Sequence, residues 1–564
     1  MNDFETLRLI TLIEQIRASF RDLMPMSDDE PVWNAATFLI RSEINGKVVT
    51  ISTLCDVTGV PYATSRRLIN RMIGQGLIER TVRSKTGKSY ALHPSALLLE
   101  SFEAYGRKMK ALLAQTIGRR SAQEGDEDYY FGGGQVSEAP VPVAAAPEGD
   151  DLRFLLNDDN YACALRNMWS DFRTNLGSTK DFKLVTCPNV HQELLNNSRL
   201  PVSRYDIVGV NLPWLGEFVE RGCLEPIGPL LAGGGMRGDL HPDVWETGRW
   251  REQVYGVPIY ATVNLLAART DLFQQAGAAL PRSFDDVIRS GQKLHNPSQG
   301  RFGVVWDAAR GMPVSHSFMF FMGAAGSPIL SMRKTLRGFS LERMDLDNLV
   351  PLVDSDAGRA TLDFMHRLLE ISPPQMLDLA WDDALEVFLS GQAAMSYCWS
   401  MRAARFEYDL RSAVKRRVSY LAHPTRFGSP GAIPIGGFLL AVPSNLPKER
   451  MQGAVKAIEM MASRESTKAY VSSGLPVAPN FRMCADPEMR AGSRVASFVD
   501  KWAAKGMLQS WHRPAIPQFH AIDTILGEEI HAALSGAKSD TQALRDASLR
   551  MERVLGTMDR SQAA

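Results

Sequence analysis

The stretch SRYDIVGVNLPWLGEFVERGCLEPI, residues 203–227, opens on a short β-rich run, Tyr205-Asp-Ile-Val-Gly-Val210. A helical pattern follows it. The same alternation appears upstream. Leu152-Arg-Phe-Leu-Leu156 and Phe182-Lys-Leu-Val-Thr186 are β-rich runs separated by helical stretches. Strands that alternate with helices predict an α/β fold with mostly parallel sheets over residues 151–564. No internal repeat of fixed period is visible.

Four further stretches extend the pattern. They are YGVPIYATVNLLAARTDLFQQAG (255–277) with LPRSFDDVIRSGQKL (280–294), WDDALEVFLSGQAAMSYCWS (381–400), PIGGFLLAVPSNLPKERMQGAVKAIEMMAS (434–463) and RPAIPQFHAIDTILGEEIHAALSG (513–536). In order and spacing the region resembles the family 1 extracellular solute-binding proteins, the sugar-capturing components of ABC importers. The resemblance implies a two-lobed α/β clamp of the type II periplasmic-binding-protein kind. Ligand would lie between the lobes, with crossover strands as hinges.

The chemistry of the region agrees. A sugar presents apolar C–H faces and many hydroxyls, so its site needs aromatic platforms and hydrogen-bonding side chains at strand ends. Candidates stand there. Asn160 and Tyr161 follow the first strand. Asn211 and Trp214 follow Asp206–Val210, and Tyr260 lies near the expected crossover. Trp306 and Asp307 follow Phe302–Val305, and Trp399 follows Ala394–Cys398. Gly436 and Gly437 precede Phe438–Val442, where missing side chains would let ligand approach the backbone. Arg513 is suited to a carboxylate or phosphate. A tryptophan in such a fold is often plain core, so Trp245, Trp250, Trp381, Trp502 and Trp511 are read as packing.

Residues 1–120 read differently. Ile51–Thr58 predicts a short helix capped by Ser52 or Thr50, and Gly59-Val60-Pro61 a tight turn. A second helix runs from about Tyr62 to Gln75. It buries Ser65, Leu68, Ile69, Met72 and Ile73 and exposes Thr64, Arg66, Arg67, Asn70 and Arg71. Leu77–Arg83, a basic Gly-containing turn and Ser89–Leu92 then predict a hairpin wing. Such a helix fits the major groove, and Arg80, Arg83, Lys85 and Lys88 on the wing would meet phosphates or the minor groove. The stretch TISTLCDVTGVPYATSRRLINRMIGQGLIERTVRSKTGKSYALHPSA (50–96) resembles the MarR class of winged-helix regulators. That resemblance implies a mainly α winged helix-turn-helix domain, dimerisation through the flanking helices, and base contacts from Tyr62, Ala63, Thr64, Arg66 and Arg67. Winged helices also serve as protein-docking modules, and exposed charge is often only a solvated face.

Composition sets the limits. The 564 residues carry no net formal charge, but residues 61–120 hold twelve Lys/Arg against three Asp/Glu. Residues 121–150 read as an acidic, Gly- and Pro-rich linker. Six scattered cysteines without a CxxC pair or His cluster argue against a zinc site or a disulfide framework and fit a reducing compartment. The first twenty residues do not read as a secretory signal, and no apolar run is long enough for a membrane span. GxxxxGK[ST], GxSxG, HExxH and EF-hand patterns are absent, so neither an enzyme nor a cofactor is expected. These readings add up to an expectation: a cytoplasmic, homodimeric, sugar-responsive transcriptional regulator that binds double-stranded DNA. The alternative is a solute-binding protein of an ABC transport system whose N-terminal module docks a protein partner.

Overall fold

The computed structural model describes residues 16–117 and 152–556, apart from 27–28, 45–46, 83–89, 158–164, 166–181, 232–239, 337, 341–347, 404, 409–411, 430, 464–465, 468–469 and 471–493. The chain forms two compact units, Met1–Gln135 and Val136–Ala564.

The first unit holds α1 (Glu30–Ile44), α2 (Ile51–Asp56), α3 (Tyr62–Gly74), the antiparallel pair β1 (Ile78–Val82) and β2 (Tyr90–Pro94), and α4 (Ala96–Ile117). Thr50, not Ser52, caps α2: its hydroxyl accepts from the Thr53 N–H at 3.2 Å. Gly59 carries φ +76°, which a side chain would strain, and so turns the chain between α2 and α3. Ser65 then locks the turn, its Oγ 2.6 Å from Thr58 Oγ1 and donating to the Val60 carbonyl at 2.9 Å. The buried stripe of α3 is narrower than predicted. Ser65, Ile69 and Met72 are buried, whereas Leu68 and Ile73 are half-buried. Phe20, Trp33, Phe102 and Tyr105 form an aromatic cluster at edge-to-face and tilted angles. Tyr62, Ala63, Thr64, Arg66, Arg67, Asn70 and Arg80 are exposed. Arg80 donates to Asn70 Oδ1 at 3.2 Å, so two of the expected groove contacts bind each other. Arg83, Lys85 and Lys88 lie outside the described residues, as do the linker 121–150, Asn160 and Tyr161.

The second unit is built on one sheet. Its strands are β3 (Phe154–Asn157), β4 (Lys183–Val185), β5 (Ile207–Asn211), β6 (Gly256–Arg269), β7 (Phe302–Val305), β8 (Ala393–Trp399), β9 (Val418–Leu421), β10 (Ile433–Ala441) and β11 (Leu508–Gln509). They run in the order β4-β3-β5-β10-β6-β8-β7, with β9 also on β6 and β11 on β10. The expectation of mostly parallel pairing is corrected. β3 is parallel to β4 and β5, and β8 to β7, but β10 runs against β5 and β6, and β6 against β8 and β9. The two long strands carry the chain between lobes and enter each lobe against the local direction.

The changeover falls inside β6. Gly256–Val263 pairs with β10, and Asn264–Arg269 with β8 and β9. All of β6 is buried, which explains its unbroken apolar run. Side chains hold the point where its partners change. Ser400 Oγ accepts from the Val263 N–H and meets Thr262 Oγ1, each at 3.0 Å, and Thr262 Oγ1 accepts from the Met401 N–H at 3.1 Å. His423 Nε2 lies 2.8 Å from Asn264 Oδ1. Burial pushes His423 down to about 3, so it is neutral, and the proton is assigned to Nε2 facing the amide oxygen.

In the first lobe, Asp206 fixes the start of β5. It is fully buried and accepts from Arg153 Nε at 2.9 Å and Arg450 Nε at 2.6 Å. Burial alone would raise its carboxyl, but the hydrogen bonds from Arg450 and Arg153 outweigh that and hold it below the usual range. Asp206→Ala removes the carboxylate that both arginines share, and equilibrium denaturation is expected to show a loss of about 1–3 kcal/mol. The contribution of Asp206 is present above its unfolded pKa of roughly 4 and fades as pH falls through the depressed value. An unchanged denaturation midpoint in Asp206→Ala contradicts this account.

Candidate functional site

Trp399 ends β8 opposite Asn264, directly beside the strand crossover. A Cβ on Gly436 of β10 would sit 2.7 Å from the Trp399 ring and 2.8 Å from Arg513 Nη2. The glycine therefore makes room for these two side chains, and its space is not left for a ligand. Arg513 stacks over Trp399 at 5.1 Å and donates to the Ile435 carbonyl at 3.2 Å. Burial lowers Arg513 to about 10, opposed by Asp523, Cys187 and Tyr260, so it stays charged at neutral pH. Gly437 has φ +142°, and a Cβ there would strike the Tyr260 carbonyl at 2.2 Å. Tyr260 itself stacks on Phe438 at 5.7 Å.

The helix Phe519–Leu534 packs against the helix Met312–Ala324 and brings Asp523 to His316. Asp523 Oδ1 lies 3.6 Å from His316 Nε2, too far for a hydrogen bond. Burial raises Asp523 to about 7 against the pull of Ser315 and Arg513. Burial, and then Arg513, hold His316 well below its ordinary value, so it is neutral. Trp381 lies 6.2 Å from His316, and Arg402 covers Trp381 while pairing with Asp382 at 2.9 Å. Asp307, just past β7, is raised to about 7 by burial, with Arg402 opposing and Asp382 adding.

The structure thus gathers Tyr260, Trp399, Gly436, Gly437 and Arg513 at the crossover. Asn211 and Trp214 stand at the end of β5, and Trp306 and Asp307 at the end of β7. The Asn211 amide donates to Cys187 Sγ at 3.9 Å. Two of the expected aromatic platforms are corrected. Trp214 is 1% exposed, packed by Phe218, Phe438 and His520. Trp306 is wholly buried against Phe321. Neither offers an open face; what each offers is an indole N–H.

His316, Trp381 and Asp523 were not predicted. His316 lies buried in the Met312–Ala324 helix. A lone imidazole within the apolar run MPVSHSFMFFMGA was the available signal. Asp523 stands among buried Ile522, Ile525 and Leu526, the same kind of signal.

These residues share a property. Nε1 of Trp214, Trp306 and Trp381, both His316 ring nitrogens, Arg513 Nε and Asp523 Oδ1 are buried without a hydrogen-bond partner among the described residues. Each such group costs about 1–3 kcal/mol. A solute with several hydroxyls, each both donor and acceptor, is the chemical complement of such a set. Among the described residues no group of three His, Cys, Asp or Glu is placed to hold a metal ion.

Residues 200–468 match the family model described as bacterial extracellular solute-binding protein. The mannitol-binding protein of Pseudomonas aeruginosa is 23% identical over 381 residues, which is 63% of this chain and 81% of that one. An ABC transporter solute-binding protein from Agrobacterium radiobacter K84, solved with ribitol, superposes with TM-score 0.65 at 22% identity, covering 72% of this chain and 99% of that one. One from Agrobacterium vitis S4, solved with D-mannitol, gives TM-score 0.62 at 19% identity, covering 73% and 99%. The likenesses establish a two-lobed periplasmic-binding-protein-like fold, and the relatives are binding proteins rather than enzymes.

They also correct three expectations. The transcriptional-regulator reading and its double-stranded DNA partner give way, because the relatives are solute-binding proteins of ABC transporters. The cytoplasmic location, argued from the first twenty residues and scattered cysteines, falls to a match with an extracellular family. Among the described residues no helix is long and apolar enough to cross a membrane.

The two glycines are expected to differ under substitution. Gly436→Ala presses on side chains that can shift, at about 1–3 kcal/mol. Gly437→Ala sets a methyl against backbone at an unfavourable φ and costs more. Thermal unfolding checks the order; equal losses contradict the packing described.

Proposed function

We propose that this chain, whose C-terminal part is a family 1 solute-binding protein domain, captures a small polyol or sugar for an ABC transporter. The observation that carries the reading is the set of buried, unmatched donors and acceptors beside the strand crossover. The ligands named for its relatives, mannitol and ribitol, are polyols, and they support the choice of class. In this reading Asp523 and Asp307 accept from solute hydroxyls. His316, Arg513 and the indoles of Trp381, Trp306 and Trp214 donate to solute oxygens. Trp399 and Tyr260 pack near its C–H faces, and Asn211 stands on the first-lobe side. Gly436 and Gly437 act indirectly, by admitting Trp399, Arg513 and the close approach of β6.

The N-terminal unit, residues 1–120, is read as a winged helix of the MarR type that docks a protein partner, joined through 121–150 to the clamp at 151–564. Helix α3 and its hairpin follow the expected order, and the Tyr62–Asn70 face is exposed for docking.

Isothermal titration of the full chain with D-mannitol and ribitol tests the solute reading. Saturable binding of at least one is expected. Asp523→Asn removes a charged acceptor worth about 1.5–3 kcal/mol and weakens binding roughly ten- to a hundredfold. No binding of either polyol, or an unaffected Asp523→Asn, contradicts the assignment.

Affinity is also expected to depend on pH. Asp307 and Asp523 are held near 7 by burial, so both are substantially protonated in the solute-free protein at pH 5. Solute hydroxyls favour the ionised forms and lower both pKa values on binding. Protons are then released, and affinity rises as pH climbs from 5 through about 7 before levelling off. Titrations across that range check the slope; affinity that falls with pH contradicts it.

A further inference from the structure

Two imidazoles lie face to face where the lobes meet. His191 and His520 stack with ring centroids 3.9 Å apart and planes 21° from parallel. His191 is buried in the helix Cys187–Ser198, which packs on β3 and β5 of the first lobe. His520 is the second residue of the helix Phe519–Leu534, whose length packs on the helices Met312–Ala324 and Asp356–Leu369 of the second lobe. The stack therefore joins one lobe to the other.

Its surroundings admit one positive charge and resist a second. His191 Nε2 lies 2.9 Å from Glu217 Oε2, so a proton on His191 meets a carboxylate. Arg221 already draws on that carboxylate, at 3.1 Å from Oε1. Trp214 and Phe218 pack against His191, and Trp214 stands edge-on to His520 as well. His520 is less well provided. Its Nδ1 is buried without a hydrogen-bond partner among the described residues. It sits in the first turn of its helix, where a cation opposes the backbone dipole. Asp523, one turn on, lies against His316. Burial, and then the facing His191, hold His520 below its ordinary value, with Glu217 opposing and Arg221 adding. A proton on each ring would set two cations in van der Waals contact.

We propose that the His191–His520 stack is a pH-sensitive joint between the two lobes, closed while the pair holds at most one proton and opened in acid when each ring carries its own. Opening restores water to His520 and with it an ordinary affinity for a proton. The open joint is therefore favoured as pH falls below about 6.5, the value of an unperturbed histidine, and the closed joint above it. The joint is argued from the fold and tested without solute, so it stands or falls apart from the polyol reading.

Hydrogen exchange of the full chain tests it, followed at the amides of residues 519–524 and corrected for the intrinsic pH dependence of exchange. Between pH 7 and pH 5 the wild-type protein is expected to lose protection there by about fivefold or more, within the limit of roughly tenfold per pH unit set by uptake of one proton. His520→Phe keeps a flat ring in the stack and takes no proton, so its protection is expected to stay nearly level. His191→Phe removes the facing cation and is expected to lose less protection than wild type. Asp523 is present in both variants, so its own titration cannot imitate the difference. Circular dichroism shows which variant folds, and one folded variant suffices. Wild-type protection that stays level from pH 7 to pH 5 overturns the proposal, whether or not a variant folds. A folded variant that loses as much protection as wild type overturns it too.

Discussion

The second unit depends on one change of partner. At Val263 and Asn264, β6 leaves β10 and joins β8 and β9. A strand that changes partners inside a protein needs its local polar groups matched, because water is not there to do it. Ser400, Thr262, Asn264 and His423 provide that match within two residues of the junction. Trp399 adjoins Ser400 in the chain, so the same junction that ties the lobes also places the aromatic ring and, through Gly436, Arg513.

The neighbouring polar groups follow the opposite rule. At the junction Ser400, Thr262 and Asn264 are hydrogen-bonded, and of these groups only His423 Nδ1 is left without a partner among the described residues. At His316, Asp523, Trp381 and Trp306, a few side chains away, polar groups are left unmatched. Natural interiors pair nearly all such groups, and a concentration of exceptions needs an explanation. A bound polyhydroxylated solute supplies one, and it also explains why two carboxyls sit in surroundings that raise them toward neutrality. On the proposed reading, the stability forgone by the solute-free protein becomes selectivity for a solute that completes the network.

The sequence conveyed much of this and missed the rest for physical reasons. Strand positions at 154–157, 207–211 and 302–305 were readable because short apolar runs between helical patterns have few other outcomes. The crossover near Tyr260 was expected from the family resemblance, not from a local pattern. Strand direction was not, since pairing partners of β6 and β10 lie far away in sequence. Trp214 and Trp306 were placed correctly at strand ends, yet their faces are covered by Phe438 and Phe321, residues no local pattern links to them. His316 and Asp523 stand more than two hundred positions apart and meet only in the fold. In the first unit, helix, turn and hairpin were legible, but arginines on an exposed helix say little about what they face. That step, from charge to DNA, is where the reading went wrong.

The most direct test is a crystal structure of the chain with its bound solute. The account predicts solute oxygens within hydrogen-bond distance of Asp523 and His316, with Trp399 close by and the polar groups now matched. A solute seated elsewhere, with Asp523 and His316 still lacking partners, contradicts it.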